Sequence, residues 1–204
     1  MGKEQRRERI KTLIEKLAMR YGDFVLSSGQ KSKYYFDGKM ATTDPEAATL
    51  IAEEIFEALR NVDVKAVGGL TIGAALMAPA ISLIGRREGR LIPAFVVRDQ
   101  RKEHGTKKFI EGYLPKGPEA KVAIIDDVIT GGGSVLKAID KVEEEGCEVV
   151  KVIVLLDRHQ GGSEEVRRRG YDFVAILHAD SMGRVTVDEP STNSRRTAQG
   201  VLSS

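Results

Sequence analysis

The chain lacks tryptophan and has a single cysteine, Cys147, so no intrachain disulfide can staple it. One thiol after a glycine and before a strand-like run is expected to be buried and inert, and it fits a reducing cytoplasm. A charge excess of either sign is also missing. The 32 Lys and Arg stand against 30 Asp and Glu, a net charge of +2. Such a balance gives no case for a nucleic-acid or membrane-surface protein, so any action on anions must come from local clusters. No apolar run approaches the roughly 20 residues that span a bilayer. The opening MGKEQRRERIKTLIEK has no apolar core and is not a signal peptide. Internal repeats, low-complexity tracts and long linkers are absent too.

What is present is a chain of 204 residues, 41% hydrophobic, enough for one α/β domain over 1–204. Ile10, Leu13, Ile14 and Leu17 predict a first helix that Gly22 ends. Phe24–Asp37 reads as a loop or short hairpin. Asp44 and Pro45 cap and open a second helix with Ile51, Ile55 and Leu59 inside. Strands are expected at Val64–Val67, Leu91–Val97, Lys121–Ile125, Val149–Leu156 and, last, Phe173–Leu177. Helices are expected at Ala74–Ile84, with Pro79 as a kink, and at Ser134–Glu145 and Ser163–Arg169. Apolar strands alternating with helices indicate a mostly parallel sheet flanked by helices. The polar Ser191–Ser204 is expected to be loose at its end.

The richest segment is Lys121–Ser134, KVAIIDDVITGGGS. An apolar strand leads to Asp126 and Asp127, then Val128, Ile129 and Thr130, then Gly131, Gly132, Gly133 and Ser134 at the start of a helix. Ligands of open parallel sheets bind beyond the carboxyl ends of the strands. Glycines let several backbone N–H groups turn toward one point, and a helix N-terminus adds partial positive charge. Thr130 and Ser134 add hydroxyls. Carboxylates repel phosphate but accept hydrogen bonds from sugar hydroxyls or help hold a divalent cation. A ligand with a phosphate at one end and a diol at the other, such as ribose 5-phosphate, satisfies both halves. A P-loop would need Gly-Lys-Ser/Thr, and a dinucleotide fingerprint would place its acid after the glycines. A plain glycine turn with surface aspartates is the alternative.

This run resembles the phosphoribosyl pyrophosphate (PRPP) signature of the type I phosphoribosyltransferases. Three further segments resemble the orotate enzymes of that family. FVLSSGQKSKYYFD at Phe24–Asp37 is similar to their N-terminal hood, which spans about 20–42 here, with Ser27 where a lysine is common. The resemblance implies that Tyr35 and Phe36 lie against the pyrimidine. RDQRKEHG at Arg98–Gly105 is similar to their mobile catalytic loop, matched at Arg98, Lys102, His104 and Gly105, with Asp99 for a lysine. DRHQGG at Asp157–Gly162 is similar to the segment whose arginine, here Arg158, pairs with the orotate carboxylate, with Gln160 for a glutamate. VGGLTIGA at Val67–Ala74 resembles the loop that receives pyrophosphate, through the backbone of Gly69, Leu70 and Thr71, with Ile72 where some relatives have lysine.

The resemblance implies transfer of a phosphoribosyl group from PRPP to orotate, with release of pyrophosphate. Lys102, His104 and Arg98 would stabilise the leaving group, and Asp126 and Asp127 would orient the ribose. Asp127 would also assist proton movement, and Thr130 would join Arg158 in fixing orotate. Mg²⁺ would be held mainly through PRPP, with help from Asp126 and Asp127. A homodimer whose loop reaches the partner's site is implied as well, with no nucleic-acid or membrane partner. The rivals are a purine or uracil enzyme of the same family, and a regulator that senses PRPP without chemistry. His178 reads as an ordinary histidine and His159 as a neighbour of the site.

Overall fold

The computed structural model describes residues 1–25, 31–100 and 109–188. The polar tail and most of the catalytic-loop segment, Lys102 and His104 included, lie outside those residues, as does Ser27.

Helix α1 (Lys3–Leu17) starts well before Ile10 and ends at Ala18, because the chain turns there into a hairpin. Strands β1 (Met19–Val25) and β2 (Lys31–Phe36) pair antiparallel. Gly22 therefore does not end the helix. It lies inside β1, where the register shifts between Tyr21 and Phe24, and its φ of 151° suits a residue without Cβ. A short helix α2 (Gly38–Thr42) leads to α3 (Pro45–Leu59). The Asp44 carboxylate caps α3 by accepting from the amides of Glu46 and Ala47 at 3.0 and 2.9 Å. The apolar face Ala47, Ile51, Ile55 and Leu59 is buried. Glu54 on the same helix is buried and binds Arg6 and Arg7 of α1 at 2.7 and 2.6 Å, clipping α1 to α3.

The main sheet follows: β3 (Ala66–Gly69), α4 (Ile72–Arg87), β4 (Ala94–Val97), β5 (Ile110–Gly112), β6 (Lys121–Ile129), α5 (Gly133–Glu144), β7 (Glu148–Asp157), α6 (Gly162–Arg168), β8 (Phe173–Ala179) and β9 (Val185–Thr186). Its order is β5-β4-β3-β6-β7-β8-β9. The five inner strands are parallel, and the edge strands β5 and β9 are antiparallel. Both edges escape a sequence reading because they are short, so Phe173–Ala179 is not the last strand. Pro79 does not interrupt α4, which continues to Arg87; Met77, Ala78, Ile81 and Ile84 are buried around it. Strand alternation sorts the core into two layers. Ala123 and Ile125 of β6 face the layer of α1, α3 and α4, whereas Val122 and Ile124 face that of α5 and α6. Cys147 is buried, with its Sγ 3.5 Å from the Pro115 carbonyl, and burial pushes the thiol above its ordinary value. No helix among the described residues is long and apolar enough to cross a membrane.

Candidate active site

β6 is longer than its apolar run suggests. It continues through both aspartates to Ile129, pairing with β7 up to Asp157. The chain then turns through Thr130–Gly132 into α5. Gly132 has a φ of 83° and is buried, while Gly131, Gly133 and Ser134 are exposed. The first helical bond runs from the Leu136 amide to the Gly132 carbonyl, at 2.9 Å. The amides of Gly133, Ser134 and Val135 thus precede the helical ladder. They open on a cleft of about 410 Å³ lined by Asp126 and Val128–Val135. Asp126 and the glycine turn therefore share one cavity.

Asp127 is placed differently. Its carboxyl is packed between Gly38 of α2 and Gly73 of α4, where an added Cβ would come within 2.2 Å of it. Asp126 lines the cleft and Asp127 packs against α2 and α4, yet the two carboxyls stay close enough to act on one another. The signal for this lies in Gly38 and Gly73, which sequence reasoning leaves without a role. Asp126 is held by a 2.5 Å hydrogen bond from the Thr71 hydroxyl and a 2.9 Å bond from the Asp127 amide. Burial, reinforced by the charge of Asp127, pushes the Asp126 carboxyl well above the usual carboxylate range. Burial also raises Asp127 above its ordinary value.

Thr71 caps α4 as well, accepting from the Ala74 amide at 3.0 Å. Gly69 is enclosed: a Cβ there would lie 2.2 Å from the Ile125 carbonyl. The Gly69–Thr71 loop therefore adjoins the cleft through Thr71 and Asp126, while Ile72 is exposed. Arg98 leaves the end of β4 half-exposed, with Nη1 3.5 Å from Glu111. Asp99, just after β4, pairs with the half-exposed Lys137 of α5.

The turn after β7 is stitched to the glycine turn. The Arg158 amide donates to the Ile129 carbonyl at 3.1 Å, and the Gly162 amide to the Thr130 carbonyl at 2.8 Å. A Cβ on Gly162 would lie 2.5 Å from that carbonyl oxygen and 2.6 Å from the Gly132 nitrogen. Arg158 is buried, and its Nε and Nη2 donate to the hydroxyls of Tyr34 and Ser32 at 2.8 and 3.1 Å. Among the described residues no carboxylate pairs with it. The guanidinium also lies over the Tyr34 ring, 4.3 Å from its centroid. Burial raises the Tyr34 hydroxyl above the usual phenol value, and the charge of Arg158 opposes that shift.

Alternation along β2 separates Tyr35 from Phe36. Phe36 joins the core beside Tyr34, and Tyr35 is exposed against Phe24 at a centroid distance of 5.9 Å. The two therefore do not form one aromatic surface. Tyr34, to which sequence reading assigns nothing, is the hood ring beside Arg158. His159 and His178 join Asp157 in a line: His159 Nδ1 is 3.5 Å from Asp157 Oδ2, and its Nε2 is 3.1 Å from His178 Nδ1. His159 has a φ of 50°, and the ligand atoms of the three residues lie within 4.8 Å of one another.

A parallel sheet ending in an acid, a glycine turn and a helix N-terminus defines a class of α/β protein suited to phosphorylated sugars. A family model described as phosphoribosyl transferase domain matches residues 44–176, and the chain belongs to that family, among the orotate phosphoribosyltransferases. The orotate phosphoribosyltransferase of a Nostoc species is 44% identical over 172 residues, covering 84% of this chain and 82% of its own. The crystal structure of the Mycobacterium tuberculosis orotate phosphoribosyltransferase is 36% identical, with a TM-score of 0.75, and covers 85% of this chain and 96% of its own. The same protein in complex with PRPP is 34% identical over the same shares, with a TM-score of 0.69.

Proposed function

We propose that this chain transfers the 5-phosphoribosyl group of PRPP to orotate, giving orotidine 5′-phosphate and pyrophosphate. The observation that carries the base assignment is Arg158, a buried cation with neutral partners, stitched through its own backbone to the glycine turn. A buried charge without a counter-ion is costly, and an anionic ligand relieves that cost. Orotate brings a carboxylate, whereas uracil and the purines bring none. The amides and hydroxyls of Thr130–Ser134 take the 5′-phosphate, and Asp126 takes the ribose hydroxyls. Asp127, buried between two glycines, acts on the ribosyl cation through its charge and holds α2 and α4 at the strand end. Tyr35 is the exposed hood ring left to cover the pyrimidine.

The donor set fits Mg²⁺ that arrives with PRPP. That ion prefers one or two carboxylates plus phosphate oxygens and water. Among the described residues a trio of metal-ligating groups, Asp157, His159 and His178, stands beside Arg158 at the ends of β7 and β8, whereas Asp126 lines the cleft itself. Bound there, Mg²⁺ would offset charge growing on pyrophosphate. Lys102 and His104, with Arg98, are assigned the same task from the protein. Exposed Ile72, Leu76 and Leu83 recur at helical spacing along α4, an apolar stripe that supports a homodimer.

The test follows orotate absorbance with PRPP and Mg²⁺, with uracil and hypoxanthine in parallel. Orotate should be consumed with stoichiometric pyrophosphate. Preference for another base, or PRPP binding without turnover, would refute the assignment.

A further inference from the structure

The side edge of the Arg158 guanidinium is fully engaged by the hood. Nε and Nη2 are the two nitrogens of that edge, and each meets a neutral hydroxyl oxygen on β2, that of Tyr34 and that of Ser32. The Nη1–Nη2 end is left to address a ligand. Tyr34 is itself clamped. One face of its ring carries the guanidinium, and Gly183 of the β8–β9 turn comes so close that a Cβ there would lie 2.6 Å from the ring's Cγ. That turn is tied back to the hood, since the Tyr21 hydroxyl donates to the Gly183 carbonyl at 3.2 Å. Gly183 has a φ of 83°, which favours glycine twice over.

We propose that Tyr34 and Ser32 are positioning residues that set base specificity, holding Arg158 so that its Nη1–Nη2 end faces the orotate carboxylate. This rests on the assignment of orotate as substrate. Neutral hydroxyls suit the task better than an acid would. They fix the direction of the guanidinium without neutralising it, so its charge stays available to the ligand. A planar fork recognises a carboxylate only when aimed, and a long arginine side chain left free would have many rotamers. The hood thus acts on the base through Arg158, from residues far away in sequence.

The experiment uses Tyr34→Phe, Ser32→Ala and the double variant, measuring orotate KM, uracil turnover and PRPP affinity by calorimetry. Tyr34→Phe keeps the ring between Arg158 and Gly183, and Ser32 is only half-buried, so both variants should fold. Loss of a hydrogen bond to a charged group should raise orotate KM by about tenfold per hydroxyl. The orotate-to-uracil ratio of kcat/KM should fall by the same factor, with PRPP affinity and kcat little changed. A parallel loss of PRPP affinity, or an unchanged ratio in folded variants, overturns the proposal. A wild-type chain that ignores orotate overturns the substrate assignment itself and this inference with it; that result is visible before any variant is made.

Discussion

Gly162→Ala is the substitution for which the site geometry makes the sharpest demand. The new methyl would sit 2.5 Å from the Thr130 carbonyl oxygen, 2.6 Å from the Gly132 nitrogen and 2.8 Å from Ile129 Cγ1. Two of those three atoms are backbone, and neither can swing aside. The first is about 0.9 Å short of the 3.4 Å at which ordinary contact begins. The strain must therefore displace either the α6 turn or the glycine turn, and the 2.8 Å bond between them lies in the path. Overpacking of this kind costs about 1–3 kcal/mol. If most of that falls on the cradle, PRPP affinity drops by roughly 5- to 150-fold, and a misplacement approaching 1 Å costs turnover on a similar scale. Calorimetric PRPP binding and initial rates of orotate consumption measure both. Gly133→Ala is the contrast: nothing lies within 4 Å of its Cβ, so it should spare stability and harm only ligand binding. A folded Gly162→Ala protein that binds PRPP like wild type would show that the two turns are not mechanically joined.

Other outcomes follow from charge and burial. Asp126→Asn keeps an acceptor for Thr71 and the Asp127 amide but removes a buried charge. Because the folded Asp126 carboxyl is raised, the folded state binds more protons than the unfolded chain above about pH 4, and wild-type stability falls as pH rises through that window. The variant should melt a few degrees higher at neutral pH, about 2–4 °C for each kcal/mol, with the gain vanishing near pH 4 while PRPP turnover collapses. A pH-independent melting difference would count against the burial argument. Glu54→Ala strands Arg6 and Arg7 at the α1–α3 contact and should cost about 3 kcal/mol in chemical denaturation; a loss below about 1 kcal/mol, as for a surface pair, would contradict it. Lys102→Ala should lower kcat by about 10²–10³ with far less effect on PRPP affinity, as removal of a leaving-group stabiliser does; equal losses in both would refute that role.

Much of this site is legible locally, because its parts are contiguous. Asp126 through Ser134 occupy one strand, one turn and one helix start, so residue order alone places an acid, the amides and a hydroxyl in the same cleft. The Asp44 cap is legible for the same reason: its partners are two and three residues away. The element boundaries that differ do so where local pattern is weakest. β6 runs on through Asp126 and Asp127, because ladder pairing with β7 outweighs the break in apolar pattern. The edge strands β5 and β9 are too short to show a period.

What the sequence cannot show is which residues meet across the sheet's end. Tyr34 and Arg158 are separated by 124 positions, and Ser32 and Arg158 by 126; no spacing rule links them. Asp127 is the harder case, since its neighbour Asp126 invites a shared role. Of the two, only Asp126 lines the cleft, and Gly38 and Gly73 are small because the Asp127 carboxyl occupies the space a side chain would fill. Glycines at those two positions, one in the hood and one in α4, are therefore signs of a buried acid between them. The same logic makes Gly183 a sign of Tyr34, and Gly162 a sign of the Thr130–Gly132 turn. Gly38, Gly73, Gly162 and Gly183 thus mark where distant segments press on Asp127, the Thr130–Gly132 turn and Tyr34, and the Tyr34 and Ser32 hydroxyls join the backbone bond to Ile129 in holding Arg158 beside that turn.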